Sequence, residues 1–412
     1  MKTHKLDLAL GLLVFVIALA LRIYAAAPIW AGGDLSITDD GPHYFGIAIS
    51  LIQNGTFAID GVPTAYRMPF FPLFLAFWHS ILGLQPYAPL PVFLIISALI
   101  AVGTYILGRS FATHVVALIA ALLIAIDGAF ILFSHYYMTE TLFSLLVLAS
   151  MLSIWRVRVS QDWRWAVAAG VLLAGATLTR ANFGLFVGLV VLWVIWHGRQ
   201  HIGPAVRNGL IVGGLVIVLW LPWVVRNYLV FDSFIPFTTQ GGNAYYGIYN
   251  DEVTGGDPTL VYGSWIWRIP HPPTIPGQVW NEVTLDQYQR EVTWEWIRAH
   301  PTKALTVAVI QLFHFWNWRT GGGFLSWACT VLLGLPTLIV FGLRRRQPEL
   351  ILWLALALTM SAMSVISVGM PRYQLPLRLI LAVTTLLFVM GLPATLKVLW
   401  RRWTVRSSSH PD

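Results

Sequence analysis

Long apolar runs separated by short polar segments follow one another along most of the chain. Runs of roughly 17 to 25 apolar residues can cross the hydrocarbon core of a bilayer as helices. We predict helices because a helix satisfies its own backbone in lipid, and because the run from Val187 to Trp196 lacks the alternation of a barrel strand. The predicted spans lie near 8–27, 88–108, 113–133, 137–155, 164–180, 182–197, 208–226, 322–343, 350–369 and 374–398.

Two further apolar runs are ambiguous, because each is short for a span and carries His, Trp or Pro. They extend from Pro69 to Leu84 and from Thr302 to Trp318. If neither run crosses the membrane, every Lys and Arg cluster in a short loop falls on one side, as cytoplasmic clusters do. The clusters are Lys2 with Lys5, Arg109, Arg156 with Arg158 and Arg164, Arg199 with Arg207, Arg344 to Arg346, and Arg401 with Arg402.

The pattern therefore predicts an all-α polytopic membrane protein with about ten transmembrane helices, or up to twelve if both short runs cross. Both termini are predicted to be cytoplasmic in an inner (plasma) membrane. The run from Leu8 to Ala27 is too long for a signal peptide and is predicted to remain as a helix. The two short runs become juxtamembrane helices on the outer face, which their aromatic content favours.

Composition agrees with this class and excludes others. Of the 412 residues, 57% are hydrophobic and 11% are charged, against about 25% charged in soluble domains. The net charge of +8 resides in short clusters between apolar runs, which is a topogenic pattern, so no nucleic-acid partner is predicted. Cys329 is the single cysteine, which excludes a disulfide framework and a cysteine-based metal site.

This topology leaves two long outer loops, 28–87 and 227–320, within a single integral membrane domain of residues 1–412 and without a separate soluble domain. Loops of this length are usually functional or disordered, and the aromatic residues here favour order. The second loop is expected to contain an amphipathic helix. The stretch from Gly241 to Pro276 is rich in Gly and Pro and is predicted to form turns and irregular structure.

Three carboxylates near the outer boundary are candidate catalytic residues, and two of them are candidates for general base chemistry. Asp39 and Asp40 are adjacent and precede an amphipathic stretch that ends at Asn54-Gly55. A partly buried carboxylate with such a neighbour can act as a base, although capping of the following helix is an alternative for one of the two. Glu140 enters an otherwise apolar helix, where an ionisable group indicates function unless it merely pairs with a nearby arginine such as Arg180.

Four arginines share an outer boundary position that the distribution of positive charge does not explain. A guanidinium there can hold a lipid phosphate through its planar fork. For one of the four, Arg67, snorkelling to the headgroups is the alternative. Cations that converge with carboxylates would build a site for a phosphate-bearing substrate whose reaction needs a base. The four are Arg67, Arg180, Arg226 and Arg372.

Other site classes are disfavoured by their missing motifs. The predicted outer histidines show no His-Glu-x-x-His spacing, which disfavours zinc. They are His43, His135, His271 and His314. In addition, no Gly-rich phosphate loop precedes a helix, which disfavours a nucleotide site.

The order of these features resembles the GT-C superfamily of polytopic glycosyltransferases, in the branch of protein O-mannosyltransferases and the bacterial lipid A aminoarabinose transferase. The resemblance covers nearly the whole chain, but the segment from Asp251 to Gln278 matches no family element. The matching elements are Asp39-Asp40-Gly41-Pro42-His43-Tyr44 through Asn54-Gly55, Arg67-Met68-Pro69, Met138-Thr139-Glu140-Thr141, Leu178-Thr179-Arg180, Pro222-Trp223 through Arg226-Asn227-Tyr228, Gly241-Gly242-Asn243, His300-Pro301, and Arg372-Tyr373-Gln374-Leu375-Pro376.

The resemblance implies transfer of a sugar from a polyprenyl-phosphate donor to a glycan, lipid or protein acceptor on the outer face, with inversion. Asp39 would be the general base with Asp40 beside it, and Glu140 would position the acceptor or bind a divalent cation. The same resemblance implies that the donor phosphate is held by Arg67, Arg180, Arg226 and Arg372, beside a substrate pocket of His43, Tyr44, Tyr66, Asn243 and Tyr373.

A transporter or flippase of a phosphorylated lipid or glycan is the alternative function. It predicts ionisable residues deep within the spans and broken helices near the midplane. Asp127 is the principal such residue. A scaffold protein has less support, because it needs no concentration of carboxylates and arginines on one face.

Overall fold

The structure is a computed structural model that describes residues 2–30, 40–254, 280–318, 324–345, 347–387 and 389. The described residues are almost entirely α-helical, with one two-stranded antiparallel hairpin. The predicted all-α class is confirmed. Several predicted features lie outside the described residues, namely Asp39, most of the segment 251–278 including His271, the end of the predicted span 374–398, Arg346, and Arg401 with Arg402.

Most helices in the first half of the chain coincide with predicted apolar runs. They are α1 (Lys2–Trp30), α2 (Gly41–Asn54), α3 (Phe70–Leu82), α4 (Leu90–Arg109), α5 (His114–Ala125), α6 (Gly128–Leu132), α7 (Glu140–Ser160), α8 (Trp163–Thr179), α9 (Gly184–His197) and α10 (Ile202–Phe231).

The second half contains shorter helices as well as long ones. They are α11 (Gln240–Tyr246), α12 (Asp251–Thr254), α13 (Glu282–Ala299), α14 (Pro301–Phe315), α15 (Phe324–Trp327), a π-helical turn (Ala328–Leu332), α16 (Leu333–Arg345), α17 (Pro348–Ile366), a 3₁₀ turn (Pro371–Gln374) and α18 (375–387).

Several helices are long and apolar enough to cross a membrane, which confirms the predicted polytopic character. Shorter apolar helices include Phe70–Leu82 and His114–Ala125, and the number of crossings stays a prediction. By length and composition, the candidate spans among the described residues are His4–Trp30, Leu90–Arg109, Glu140–Ser160, Arg199–Phe231 and Pro348–Ile366.

The long helices pack around two centres. Helix α8 contacts both α7 and α10, while α4 contacts α1, α5 and α7. Small residues permit close approach, since a Cβ at Gly170 of α8 would lie 3.0 Å from the Leu215 Cβ of α10. Membrane helix interfaces commonly use small residues in this way.

Short elements gather at one end of the bundle, which we call the loop end. They include the hairpin strands β1 (Ala58–Ile59) and β2 (Val62–Pro63), joined by a turn in which Asp60 and Gly61 have positive φ, as a two-residue Asp-Gly hairpin requires. The 28–87 and 227–320 regions meet here, because the Thr239 N–H donates to the Ala65 carbonyl at 3.2 Å. The loop end is therefore built from both predicted loops.

The prediction of one continuous span over 113–133 is wrong. Helix α5 ends at Ala125, and the extended residue Asp127 starts α6 by accepting hydrogen bonds from the Ala129 and Phe130 N–H groups at 2.9 and 3.3 Å. A carboxylate that caps new N–H groups competes with continuation of the helix. The run was apolar enough for one span, but it contains a break at Asp127.

The prediction of irregular structure from Gly241 onward is also wrong for its first residues. Gln240–Tyr246 is helical and packs against α13. A Cβ at Gly242 would collide with the Asp286 carbonyl, and the Gly242 N–H donates to the Asp286 carboxylate at 2.5 Å. The glycines thus serve close helix contact here rather than a turn.

Candidate active site

Asp40 joins two arginines that are far apart in sequence. Its Oδ1 accepts a hydrogen bond from Arg67 Nη2 at 2.7 Å, and its Oδ2 accepts one from Arg372 Nη2 at 3.1 Å. Asp40 directly precedes α2 but makes no side-chain capping bond. The capping alternative is therefore wrong for Asp40, and its carboxylate instead holds two cations.

Glu140 makes a similar bridge at the first residue of α7. Its Oε1 accepts from Arg180 Nη2 at 2.7 Å and lies 3.3 Å from Arg372 Nε. Its side chain is 2% exposed, and its Oε2 has no hydrogen-bond partner among the described residues. The structure thus links five side chains in series, which we call the arginine–carboxylate cluster: Arg67, Asp40, Arg372, Glu140 and Arg180.

Positive charge is in excess within this cluster. Of its members, three are guanidinium groups and two are carboxylates, counted over the described residues. Arg67 is 5% exposed, so snorkelling is wrong for this residue, whereas Arg180 and Arg372 are 13% and 15% exposed. The cations that a ligand can reach are consequently Arg180 and Arg372.

Aromatic rings fix the planes of the guanidinium groups. The guanidinium carbon of Arg67 lies 5.0 Å from the ring centres of both Tyr44 and Tyr66. That of Arg180 lies 4.4 Å from the Tyr373 ring centre. Cation–π contact of this kind restricts the fork without using its N–H donors. The rings therefore hold the guanidinium groups of Arg67 and Arg180 in fixed planes.

The electrostatics of the cluster keep Asp40 ionised. Burial raises the pKa of Asp40, but the charges of Arg67 and Arg372 lower it by more, so the pKa lies below its usual range. Burial lowers the pKa of Arg372, but the neighbouring Tyr373, Glu140 and Asp40 raise it by more. Both members of this pair remain charged at neutral pH.

The lowered pKa of Asp40 predicts how stability depends on pH. A carboxylate whose folded pKa is lower than its unfolded value of about 3.9 stabilises the fold above that value and loses the contribution as the pH falls through the folded pKa. We expect the wild type to have a higher Tm than Asp40→Asn from pH 7 to about 4. The difference in Tm should shrink only at lower pH. A difference that vanished already near neutral pH would contradict the lowered pKa.

Four of the five predicted pocket residues contact Arg67 or Arg180 of the cluster, and the fifth, Asn243, reaches it through Tyr66. The rings of His43 and Tyr66 lie edge to face at 5.7 Å. Asn243 donates its amide to the Tyr66 hydroxyl at 2.7 Å, which brings α11 to the site. Tyr373 lies under Arg180. Tyr44 is buried against Phe71, so its ring supports Arg67 from within the protein.

Arg226 lies elsewhere at the loop end. Its guanidinium donates to the carbonyls of Thr64 and Phe57 at 2.8 and 2.9 Å and lies over the Trp223 ring. These contacts tie α10 to the segments that flank the hairpin. No described contact joins Arg226 to the cluster, so the structure does not bring it to the site predicted for the donor phosphate.

Three polar residues at the site were not predicted from the sequence. Gln240 accepts from Arg67 Nη1 at 3.2 Å, and Thr139 accepts from Arg180 Nε at 2.9 Å. Glu282 accepts from Thr64 Oγ1 at 2.7 Å and from the Ala65 N–H at 2.6 Å. Thr139 adjoins Glu140 in sequence and could have been found. The other two come from distant segments, and no local pattern marks them.

Two spaces open from opposite ends of the cluster. The first is a narrow crevice of about 10 Å³ that reaches the Arg180 end at Tyr373. Its other walls are the apolar residues Phe143, Phe183, Met360 and Met363 and the polar residues Asn182, Thr359, Ser364 and Ser367. The second is a cavity of about 200 Å³ beside Arg67. It is lined by His43, Ile59, Val62, Pro63, Thr64, Tyr66 and Glu282. The Arg180 end therefore has room for no more than a water-sized group, whereas the Arg67 end has room for a small ligand.

The described residues do not form a metal-ligand set. No group of three or more His, Cys, Asp or Glu side chains within the described ranges is arranged to hold a metal ion. The carboxylates of Asp40 and Glu140 already bind arginines.

The chain resembles known proteins both in part of its sequence and in its fold. The family model of dolichyl-phosphate-mannose-protein mannosyltransferase matches residues 89–237, and no curated protein sequence matches the chain. The archaeal oligosaccharyltransferase AglB from Archaeoglobus fulgidus, solved with an inhibitory peptide and a dolichol-phosphate, superposes with a TM-score of 0.59 and 13% identity. The match covers 100% of this chain and 53% of that one. This chain has a GT-C fold.

Two further GT-C enzymes resemble the chain more loosely. The protein O-mannosyltransferase Pmt1-Pmt2 complex of S. cerevisiae gives a TM-score of 0.43 at 17% identity, covering 60% of this chain and 36% of that one. ArnT from Cupriavidus metallidurans, bound to undecaprenyl phosphate, gives 0.43 at 14% identity, covering 94% and 78%. The chain spans about half the length of the oligosaccharyltransferases it matches. The predicted resemblance to the GT-C superfamily is confirmed.

Proposed function

We propose that this chain is a membrane glycosyltransferase that transfers a sugar from a polyprenyl-phosphate donor to an acceptor hydroxyl. The observation that carries the proposal is the arginine–carboxylate cluster, in which three guanidinium groups face two carboxylates. A lipid-linked phosphate offers both an anion and an apolar tail. The mannosyltransferase family match and the GT-C fold support the same activity.

We place the donor phosphate at Arg180 and Arg372. The side chains of both residues are partly exposed, whereas Arg67 is enclosed by Asp40, Gln240 and its aromatic neighbours. The polyprenyl tail would then lie in the bilayer that surrounds the helices. The bound dolichol-phosphate of the archaeal relative and the undecaprenyl phosphate of ArnT are ligands of the same chemistry in those proteins.

The reaction is a direct displacement. The acceptor oxygen attacks the anomeric carbon and its proton passes to a carboxylate, while the bond from that carbon to the phosphate oxygen breaks. Negative charge grows on the leaving phosphate, where Arg180 and Arg372 are already oriented to stabilise it. Preorganised donors at developing charge are usually the largest catalytic contribution.

The proposal assigns the base to Asp39 and a positioning role to Asp40. Both oxygens of Asp40 accept hydrogen bonds from arginines, and its lowered pKa makes it a weak proton acceptor. Asp39 is the other carboxylate of the pair. In this scheme Asp40 orients Arg372 toward the phosphate while Asp39 activates the acceptor.

The assignment is tested with the full chain in lipid nanodiscs, a labelled polyprenyl-phosphate sugar and a membrane extract as the acceptor source. We expect Asp39→Asn to abolish transfer while donor binding persists. Asp40→Asn should weaken donor binding as well, because Arg372 loses its partner. Full transfer by Asp39→Asn would reject this base. Absence of wild-type transfer, accompanied by donor movement between leaflets, would support a flippase instead.

The proposed location is a plasma membrane with the loop end outside and both termini in the cytoplasm. Positive clusters such as Arg156 with Arg158 and Arg199 with Arg207 support this orientation. A reporter fused after Gln200 should be cytoplasmic, and an outward reporter there would overturn the orientation.

A further inference from the structure

We propose that the cavity beside His43 binds one sugar ring of the acceptor, so that the acceptor is a glycan. This inference rests on the proposed function and adds the class of its second substrate. The two walls of the cavity differ in polarity. The hairpin supplies an apolar wall of Ile59, Val62 and Pro63, and the opposite wall is polar.

His43 presents a hydrogen-bond donor to this cavity. Arg67 Nη2 lies 3.2 Å from His43 Nδ1, and arginine only donates, so Nδ1 accepts. A neutral imidazole that accepts at Nδ1 carries its proton at Nε2. Burial and the charge of Arg67 lower the pKa of His43, so the ring is neutral at pH 7. Nε2–H has no partner among the described residues and is available to a ligand oxygen.

Tyr66 and Glu282 complete the polar wall. The Tyr66 hydroxyl accepts from the Asn243 amide, which leaves its own O–H free to donate. Glu282 accepts from Thr64, Ala65 and Thr239, which uses three of about four acceptor positions of a carboxylate. The wall therefore offers two donors and one acceptor position.

This combination fits a sugar ring better than a peptide. A sugar ring has hydroxyl groups that both donate and accept, together with faces of C–H groups that pack on apolar side chains. Val62 is 68% exposed and offers such a surface. An extended peptide would instead pair with β2, but Pro63 has no N–H for a ladder.

The volume sets the size of the ligand. Sites for drug-sized ligands typically measure about 300–1,000 Å³. A cavity of about 200 Å³ accommodates one ring rather than an oligosaccharide. A longer glycan would project from the open side.

The position of the cavity assigns the ring to the acceptor. His43 adjoins Arg67, which binds one oxygen of Asp40, while Arg372 binds the other. The donor phosphate is placed on the Arg372 side. In a displacement with inversion the acceptor approaches from the side opposite the leaving group, which here is the side of His43.

Cysteine protection tests the site without turnover. In a Cys329→Ala background, the thiol introduced by Val62→Cys should react with a maleimide in nanodiscs. We expect methyl glycosides of gluco, galacto and manno configuration to slow this reaction, at least one of them in a saturable manner. Because the assay needs no donor, its failure is distinguishable from failure of the proposed transfer activity.

Two variants remove single hydrogen bonds from the polar wall. His43→Asn keeps an acceptor for Arg67 but lacks the Nε2–H donor, and Tyr66→Phe lacks the hydroxyl. One hydrogen bond corresponds to about a threefold to tenfold weakening, so the half-protecting concentration should rise by that factor in each. Tyr288→Phe is the matched control, since Tyr288 does not line the cavity and should give the wild-type value.

The remaining outcomes each decide against the proposal. Protection by a Ser- and Thr-containing peptide but by no glycoside would indicate a polypeptide acceptor. Protection by a short-chain prenyl-phosphate sugar alone would assign the ring to the donor. Glycoside protection that is unchanged in both His43→Asn and Tyr66→Phe would place the ring elsewhere.

Discussion

Replacing Arg372 by alanine is expected to lower the rate of sugar transfer by about 100-fold to 1,000-fold, the usual loss when one preorganised donor to developing charge is removed. Arg372 contacts both carboxylates of the cluster, Asp40 at 3.1 Å and Glu140 at 3.3 Å, and its own side chain remains 15% exposed. The loss should appear in kcat, because charge on the phosphate grows mainly in the transition state. The measurement is steady-state transfer in nanodiscs at saturating donor.

Two further variants sharpen this prediction. Arg372→Lys keeps the charge but not the planar fork, so it should recover only part of the rate. Arg290→Ala removes another loop-end cation, one that pairs with Asp286 four residues earlier and lies over the Tyr245 ring. It should leave the rate within a few-fold of the wild type. A loss below tenfold in Arg372→Ala would separate this residue from the phosphate.

The sequence indicates where the four arginines lie relative to the membrane, but it does not show which residues each of them contacts. The positive-inside rule singled out four arginines because of where they lie relative to the membrane. Three of them meet Asp40 and Glu140 in the cluster, whereas Arg226 binds the carbonyls of Phe57 and Thr64. Depth along a span follows from hydropathy, but rotation about the helix axis depends on packing that hydropathy does not encode.

Loop-end geometry was harder to predict than the spans. Asp60-Gly61 is a recognised hairpin signal, yet its strands have only two residues each and lack a long alternating pattern. Gln240 and Glu282 reach the site only because α11 packs against α13. Such contacts depend on tertiary structure, so a single sequence could not identify these two residues.

Asp127 illustrates an ionisable residue whose described contacts are structural. The transporter alternative predicted broken helices and deep charges, and both occur here, since α5 ends before Asp127 and its carboxylate is fully buried. Yet Arg378 Nη1 lies 3.0 and 2.9 Å from its two oxygens, and Ser326 donates to it. Arg22 binds the Ala125 carbonyl at the end of α5. These contacts hold α1, α5, α6, α15 and α18 together.

Removing one member of the buried ion pair between Asp127 and Arg378 is therefore expected to destabilise the fold strongly. Loss of one partner of a buried ion pair typically costs about 3–5 kcal/mol, because the other charge stays buried without compensation. Asp127→Ala should lower the Tm in detergent accordingly, and its effect should exceed that of any single exposed substitution at the loop end. Thermal unfolding followed by intrinsic tryptophan fluorescence measures it.

Two comparisons separate the charge pair from the helix cap. Asp127→Asn retains a favoured capping residue and loses only the charge, so most of the destabilisation should remain, since a cap contributes only about 1 kcal/mol. The double variant Asp127→Leu with Arg378→Leu removes both charges and should recover much of the Tm, as apolar replacement of buried pairs often does. An unchanged Tm in Asp127→Ala, with transport of a phosphorylated lipid abolished, would instead make this aspartate part of a substrate pathway.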